Sequence, residues 1–180
     1  MKYSFIYILF LSIFTPLHAQ YMQTINCDNG LSNRRVFQIV KDKSHFMWFA
    51  TRAGFDRYDG KNIRHYTLPQ TKDSRIFGLA TSPDGDIWGF SSHGNLYYYD
   101  KNTDSYNLQL RLDSLLQTDE PFIFKIYVDT RNCIWICSSQ GLYCYFTQEK
   151  KLYAITDLEG NTLYEINELE AVRYELFTGK

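Results

Sequence analysis

Residues Val36–Tyr66 read VFQIVKDKSHFMWFATRAGFDRYDGKNIRHY, and the chain repeats their pattern twice, as IFGLATSPDGDIWGFSSHGNLYYYDKNTDSY over Ile76–Tyr106 and IFKIYVDTRNCIWICSSQGLYCYFTQEKKLY over Ile123–Tyr153. Without any gap, the three stretches put Phe37, Phe77 and Phe124 in one column and Trp48, Trp88 and Trp135 in a second. Gly54, Gly94 and Gly141 form a third, Tyr58, Tyr98 and Tyr145 a fourth, and Tyr66, Tyr106 and Tyr153 a fifth. Agreement at five columns is an internal repeat, which decides the fold before any local propensity is considered.

Each unit reads as four short strands. A β-branched, apolar first strand (VFQIV, IFGLA, IFKIY) leads through a polar turn into a continuous apolar strand around the tryptophan. The repeated glycine supplies the positive φ of a tight reversal, the tyrosine column lies on a third strand, and a fourth strand follows a second polar turn. Trp48-Phe49-Ala50 and Ile134-Trp135-Ile136-Cys137 do not alternate apolar with polar, so both faces of the tryptophan strand must be covered. A blade between two other blades meets that condition, and the tryptophans recur at roughly the 40-to-50-residue interval of four-stranded blades. The expected fold is therefore all-β, a partial β-propeller of three four-stranded blades in an incomplete ring. A stacked β-solenoid is the weaker alternative, because its coils are usually shorter.

The expected organisation is a signal peptide over 1–19, an N-terminal strand and lead-in over 20–35, and blades over 36–66, 76–106 and 123–153. The start of an incomplete further unit occupies 154–180. Lys2, the apolar run Tyr3–Leu17 and the small Ala19 before Gln20 carry the export reading, with cleavage after Ala19. The alternation in Tyr21–Cys27 suggests a strand that completes a final blade. Glu175 stands where a fourth repeated tryptophan would fall, so the unit after Tyr153 does not continue the pattern.

A formal charge of −1 and the lack of a block of like charges exclude a general attraction to nucleic acid or anionic lipid. Cys27, Cys133, Cys137 and Cys144 are expected as structural thiols, two of them inside the apolar third-unit strand. Export permits a disulfide without the spacing requiring one, and neither a paired CxxC nor a metal pattern is present.

The segment NGLSNRRVFQIVKDKSHFMWFATRAGFDRYDGKNIRHY, Asn29–Tyr66, resembles the first propeller repeat of periplasmic sensors of Bacteroidetes hybrid two-component systems. Gly30-Leu31-Ser32, Asp42, Trp48-Phe49-Ala50-Thr51 and Arg57-Tyr58-Asp59-Gly60 carry the likeness; the second and third units fit more loosely. In that family two seven-bladed propellers and an immunoglobulin-like domain precede a membrane helix, a histidine kinase, a receiver and a DNA-binding domain. The resemblance implies a periplasmic sensor that detects glycan fragments and controls transcription. No kinase or DNA-binding segment can be assigned in this chain, and any membrane attachment would come from a further C-terminal part.

In a propeller, turns between second and third strands share a rim with the links between blades. That rim would gather Arg34, Arg35, Arg52, Arg75, His93 and Gln140, groups suited to a polar or acidic saccharide, although each residue type is also ordinary in a solvated turn. Tyr97-Tyr98-Tyr99 could stack on sugar rings but is better explained by packing, as are the three tryptophans. No catalytic motif, cofactor site or metal site is expected. An exported interaction propeller, or a fragment of a propeller glycosidase or lyase, is the alternative. Open blade ends should promote self-association.

Overall fold

The computed structural model describes residues 22–69, 76–116 and 121–156. The leader read over 1–19, Arg75 and most of the unit after Tyr153 lie outside them. No described helix is long and apolar enough to cross a membrane.

Twelve strands form three antiparallel sheets of four, each in sequence order. The first blade is β1 (Val36–Lys41), β2 (Met47–Thr51), β3 (Gly54–Tyr58) and β4 (Ile63–Tyr66). The second is β5 (Ile76–Thr81), β6 (Ile87–Ser91), β7 (Asn95–Asp100) and β8 (Ser105–Arg111). A short helix, α1 (Leu112–Leu116), leaves it towards β9 (Ile123–Val128), β10 (Cys133–Ser138), β11 (Gly141–Phe146) and β12 (Lys151–Ala154). The innermost strands touch in series, β1 with β5 and β5 with β9, so the blades succeed one another around an axis without closing a ring.

Packing between blades explains the unbroken apolar strands. Trp48, Ala50 and Phe55 of the first blade bury against Leu79, Ile87, Tyr97 and Tyr99 of the second. Trp88, Phe90 and Leu96 on the opposite face of that second blade bury against Ile123, Ile126, Val128, Ile134 and Ile136 of the third. Every residue of β6 is buried, as coverage by a blade on each side requires, and every residue of β10 is buried too. Each such large side chain contributes about 1.5–3 kcal/mol by leaving water. The tryptophans thus all face the following blade, and Trp135 points with Cys133, Leu142 and Cys144 towards the face that a further blade would cover.

The β1–β2, β5–β6 and β9–β10 turns share a local device. His45, Gly85 and Asn132 adopt positive φ (68°, 88° and 57°) at the same distance before each tryptophan. Asp42 accepts the Phe46 N–H at 2.9 Å and the Trp48 indole N–H at 2.8 Å. Asp129 accepts the backbone N–H groups of Arg131 and Cys133 and the Trp135 indole at 3.4 Å, and Ser82 accepts the Asp86 N–H. The turn side chain therefore satisfies the backbone N–H four residues on in every blade, a second backbone N–H in the third, and, in the outer two blades, the one polar atom of the buried tryptophan.

Strand pairing departs from the ungapped repeat in the second blade. Thr51 pairs with Gly54 and Ser138 with Gly141, but β7 begins at Asn95, one residue after Gly94. Asn95 is therefore an extra hairpin residue, and the columns beyond it shift by one. Tyr58 is opposite Met47 and Tyr145 opposite Ile134, whereas Tyr98 is opposite Trp88. The residue matching Tyr58 and Tyr145 is Tyr99, which buries against the first blade, while Tyr98 packs on Trp88 with ring centroids 4.9 Å apart. The last column is not equivalent either: Tyr66, Tyr106 and Tyr153 lie opposite Phe55, Tyr99 and Cys144, because the third strands run different distances past the tryptophan column, to Tyr58, Asp100 and Phe146, before turns of equal length.

The phenylalanine column has an unexpected role. Phe37, Phe77 and Phe124 each sit at the register shift of an innermost strand, where two residues face one partner. Such bulges re-aim side chains, and Phe37 and Phe124 are 38% and 53% exposed.

One further expectation is corrected. Cys133 and Cys144 form a disulfide across the β10–β11 hairpin, their Cα atoms 6.4 Å apart, leaving Cys137 as a buried thiol and Cys27 as an exposed one. They lie diagonally on one face of adjacent strands, since Cys144 is opposite Trp135 and Cys133 opposite Phe146. Residues 22–26, expected to be a strand, pair with no described strand; a 3-10 turn, Cys27–Asn29, follows them. Strand partners for that segment would belong to a final blade, and the described residues hold none.

Candidate ligand-binding rim

Hydrogen bonds from each hairpin tip to the chain entering or leaving a blade define one rim. The Arg52 N–H donates to the Arg35 carbonyl at 3.2 Å, and the Leu112 N–H to the Gly94 carbonyl at 2.9 Å. In the third blade the Ser139 N–H donates to the Phe122 carbonyl at 2.8 Å, while the Phe122 N–H donates to Ser139 Oγ. The tips themselves are held by hydroxyls: Thr51 Oγ1 donates to the Gly54 carbonyl and accepts the Ala53 N–H, and Ser138 does the same with Gly141 and Gln140. In the second blade Ser91 Oγ accepts the Asn95 N–H. These hydroxyls sit three residues after each tryptophan, a fourth-level regularity that the sequence shows as Thr, Ser, Ser.

Of the expected rim residues, the structure brings Arg34, Arg35 and Arg52 to one edge of the first blade, all exposed. His93 and Gln140 occupy the hairpin tips of the second and third blades and are half-buried. His93 Nδ1 lies 3.1 Å from Ser92 Oγ, and the Gln140 carbonyl accepts the Tyr143 hydroxyl at 3.0 Å. Among the described residues no hydrogen bond joins either to the arginines. Phe37 and Phe124 open the innermost strands near the same rim, and Phe124 packs on Phe122 at 5.1 Å.

A second polar constellation escaped the sequence reading. Asp56 is fully buried on the face of the first blade that points away from the second. One carboxylate oxygen accepts the Ser32 N–H and Oγ–H, and the other lies 2.8 Å from His65 Nδ1. Ser32 Oγ also lies 2.9 Å from Thr51 Oγ1. Serine, aspartate and histidine are all present, but the serine bonds the aspartate and not the imidazole. Nucleophilic activation needs the hydroxyl against the base, so this arrangement anchors the lead-in to the blade. Asp84 and Asp86 flank a turn glycine, and Asp86 is paired with Lys101 at 3.0 Å.

A third network seals the outer side of the first interface. Asp104 accepts the hydroxyls of Tyr66 (2.7 Å) and Tyr99 (2.5 Å) and pairs with Arg57 and Arg64. Burial pushes the Asp104 carboxyl up, but the two phenols and two guanidiniums outweigh it and hold the carboxyl below its usual range. Burial and the bond to Asp104 push the Tyr66 phenol well above its ordinary value. Arg57 lies over the rings of Phe46, Trp48, Tyr66 and Tyr99 at 4.9–5.9 Å.

No protein-family model matches the sequence, and comparison with curated proteins gives no match. Solved structures do share the fold. The extracellular domain of a one-component system from B. thetaiotaomicron superposes with a TM-score of 0.64 at 19% identity over 82% of this chain. The extracellular domain of a hybrid two-component system from the same organism gives 0.61 at 22% identity over 74%. Virginiamycin B lyase from Staphylococcus aureus gives 0.58 at 16% identity, covering 72% of this chain and 43% of the lyase. The chain spans only 21% and 20% of the two extracellular domains. On the strength of its blade-by-blade pairing and these likenesses, the chain has the fold of a partial β-propeller.

Proposed function

We propose that this chain is the N-terminal part of a periplasmic, ligand-sensing propeller belonging to a hybrid two-component sensor that responds to glycan fragments and controls transcription. The observation that supports it most is the stitched rim, where hairpin tips of successive blades hold arginine, histidine and amide groups beside exposed phenylalanines at the strand bulges. Apolar ring faces beside polar donors are what an oligosaccharide offers contacts to. The fold shared with extracellular domains of two-component systems, and the sequence resemblance over Asn29–Tyr66, support the same reading. In it the chain supplies recognition, and phosphotransfer and DNA binding belong to other segments of a longer parent.

The test is a thermal-shift panel of oligosaccharides, from neutral plant and host glycans to uronic and sulfated ones, against the purified chain. One chemical class should raise the melting temperature by several degrees. A panel with no stabilising member would contradict the sensor reading.

A further inference from the structure

The arginines of the described residues divide by location. Arg57 and Arg64 both pair with Asp104, Arg111 pairs with Asp113, and Arg131 with Asp129. The others, Arg34, Arg35 and Arg52, have no acidic partner among the described residues, and all three are exposed at one edge of the first blade. Their proximity is built in by the backbone. The Arg52 N–H bonds the Arg35 carbonyl, and Asn33 Oδ1 accepts the Arg35 N–H at 2.9 Å, fixing the turn that carries Arg34 and Arg35. Three exposed arginines on neighbouring backbone positions, without an acidic partner among the described residues, give this edge a local positive charge that an anion would offset. The concentration is local, because the chain as a whole carries −1. Phe37, at the first bulge, stands two residues beyond Arg35.

We propose that this edge binds the negative groups of the sensed ligand, which is therefore an acidic oligosaccharide carrying carboxylates or sulfates. The inference rests on the saccharide-sensor reading and narrows it. Guanidinium forks match carboxylate and sulfate oxygens bidentately, and the neighbouring Phe37 ring suits the apolar face of a sugar.

Titration calorimetry with tetragalacturonic acid, chondroitin sulfate tetrasaccharide and carboxyl-reduced tetragalacturonic acid tests it. At least one acidic probe should bind the chain tenfold or more tighter than the reduced sugar. The triple variant Arg34→Gln, Arg35→Gln, Arg52→Gln should lose that preference while keeping the parent melting temperature, and Arg131→Gln, at a paired arginine, should retain it. Equal binding of acidic and reduced sugars, a preference that survives in the triple variant, or failure of both acidic probes while neutral glycans of the panel bind would overturn the inference. Each of these leaves the sensor reading standing, which falls only if the whole panel is silent.

Discussion

Ser32 donates both its backbone N–H and its hydroxyl to one oxygen of the buried Asp56, at 2.8 and 2.7 Å. By strand register Asp56 stands where the second and third blades have Tyr97 and Tyr143, which bury towards the preceding blade. The first blade has no preceding blade among the described residues. Its lead-in covers that face, and a carboxylate replaces the ring because it has backbone and hydroxyl donors to satisfy.

Asp56→Ala should therefore cost about 2–3 kcal/mol, since it takes the acceptor from the N–H and hydroxyl of half-buried Ser32 and from the more exposed His65. Ser32→Ala should cost about 1–2 kcal/mol. Urea denaturation measures both. Hydrogen exchange should rise at Leu31 and Ser32 in each variant; unchanged protection there would show that the contact does not hold the lead-in.

The disulfide gives a second expectation. Mass analysis of non-reduced peptides should find Cys133 linked to Cys144, and an alkylating reagent should label Cys27 in the folded protein. Cys137 should stay unlabelled, since burial both shields its thiol and pushes its pKa up. The paired change Cys133→Ser, Cys144→Ser should cost roughly 2–3 kcal/mol for a loop of this size.

The extra residue in the β6–β7 hairpin makes Gly94 demanding. Its φ is 78°, and a Cβ there would lie 3.0 Å from both Leu112 Cβ and Pro121 Cγ. Gly94→Val should destabilise by a few kcal/mol, combining strain with a clash against the link to the third blade. A melting temperature equal to the parent's would disprove the turn geometry.

Acid should weaken the molecule through its paired aspartates. The carboxyls of Asp104, Asp113 and Asp129 are held below the ordinary value of 3.8. A depressed carboxyl contributes stability that is complete above the unfolded value and is lost as pH falls through the folded one. Stability should thus be flat from neutrality to about pH 5 and fall progressively below 3.8. Asp104→Asn should lower stability at pH 7 and flatten this acid decline, measured as urea midpoints across the range.

What was legible in the sequence followed from spacing that packing enforces. The tryptophan column, the glycine reversals and the four-strand unit could be read because each blade solves the same two-sided burial. Asn95 was not legible as an extra residue, because the interval from Trp88 to Gly94 matches the other units and the shift begins only afterwards. The Ser32–Asp56 contact joins the lead-in to a third strand, and no local pattern marks it. The Cys133–Cys144 pairing becomes visible only when the hairpin register is known. For the rim, the sequence located the residues at hairpin tips and links, but the contrast between paired and unpaired arginines depends on contacts such as Arg57 and Arg64 with Asp104.

The claim that three blades form an arc of a larger ring is tested most directly by size-exclusion chromatography with light scattering on two forms of the protein. The chain alone presents Ile39, 52% exposed, on one terminal blade and Tyr153, 45% exposed, on the other, and it should self-associate through such faces. A longer form carrying a complete ring of blades should run as a monomer. If the chain alone ran as a monomer with a single cooperative melt, three blades would suffice as a folded unit and the account of an open arc would be contradicted.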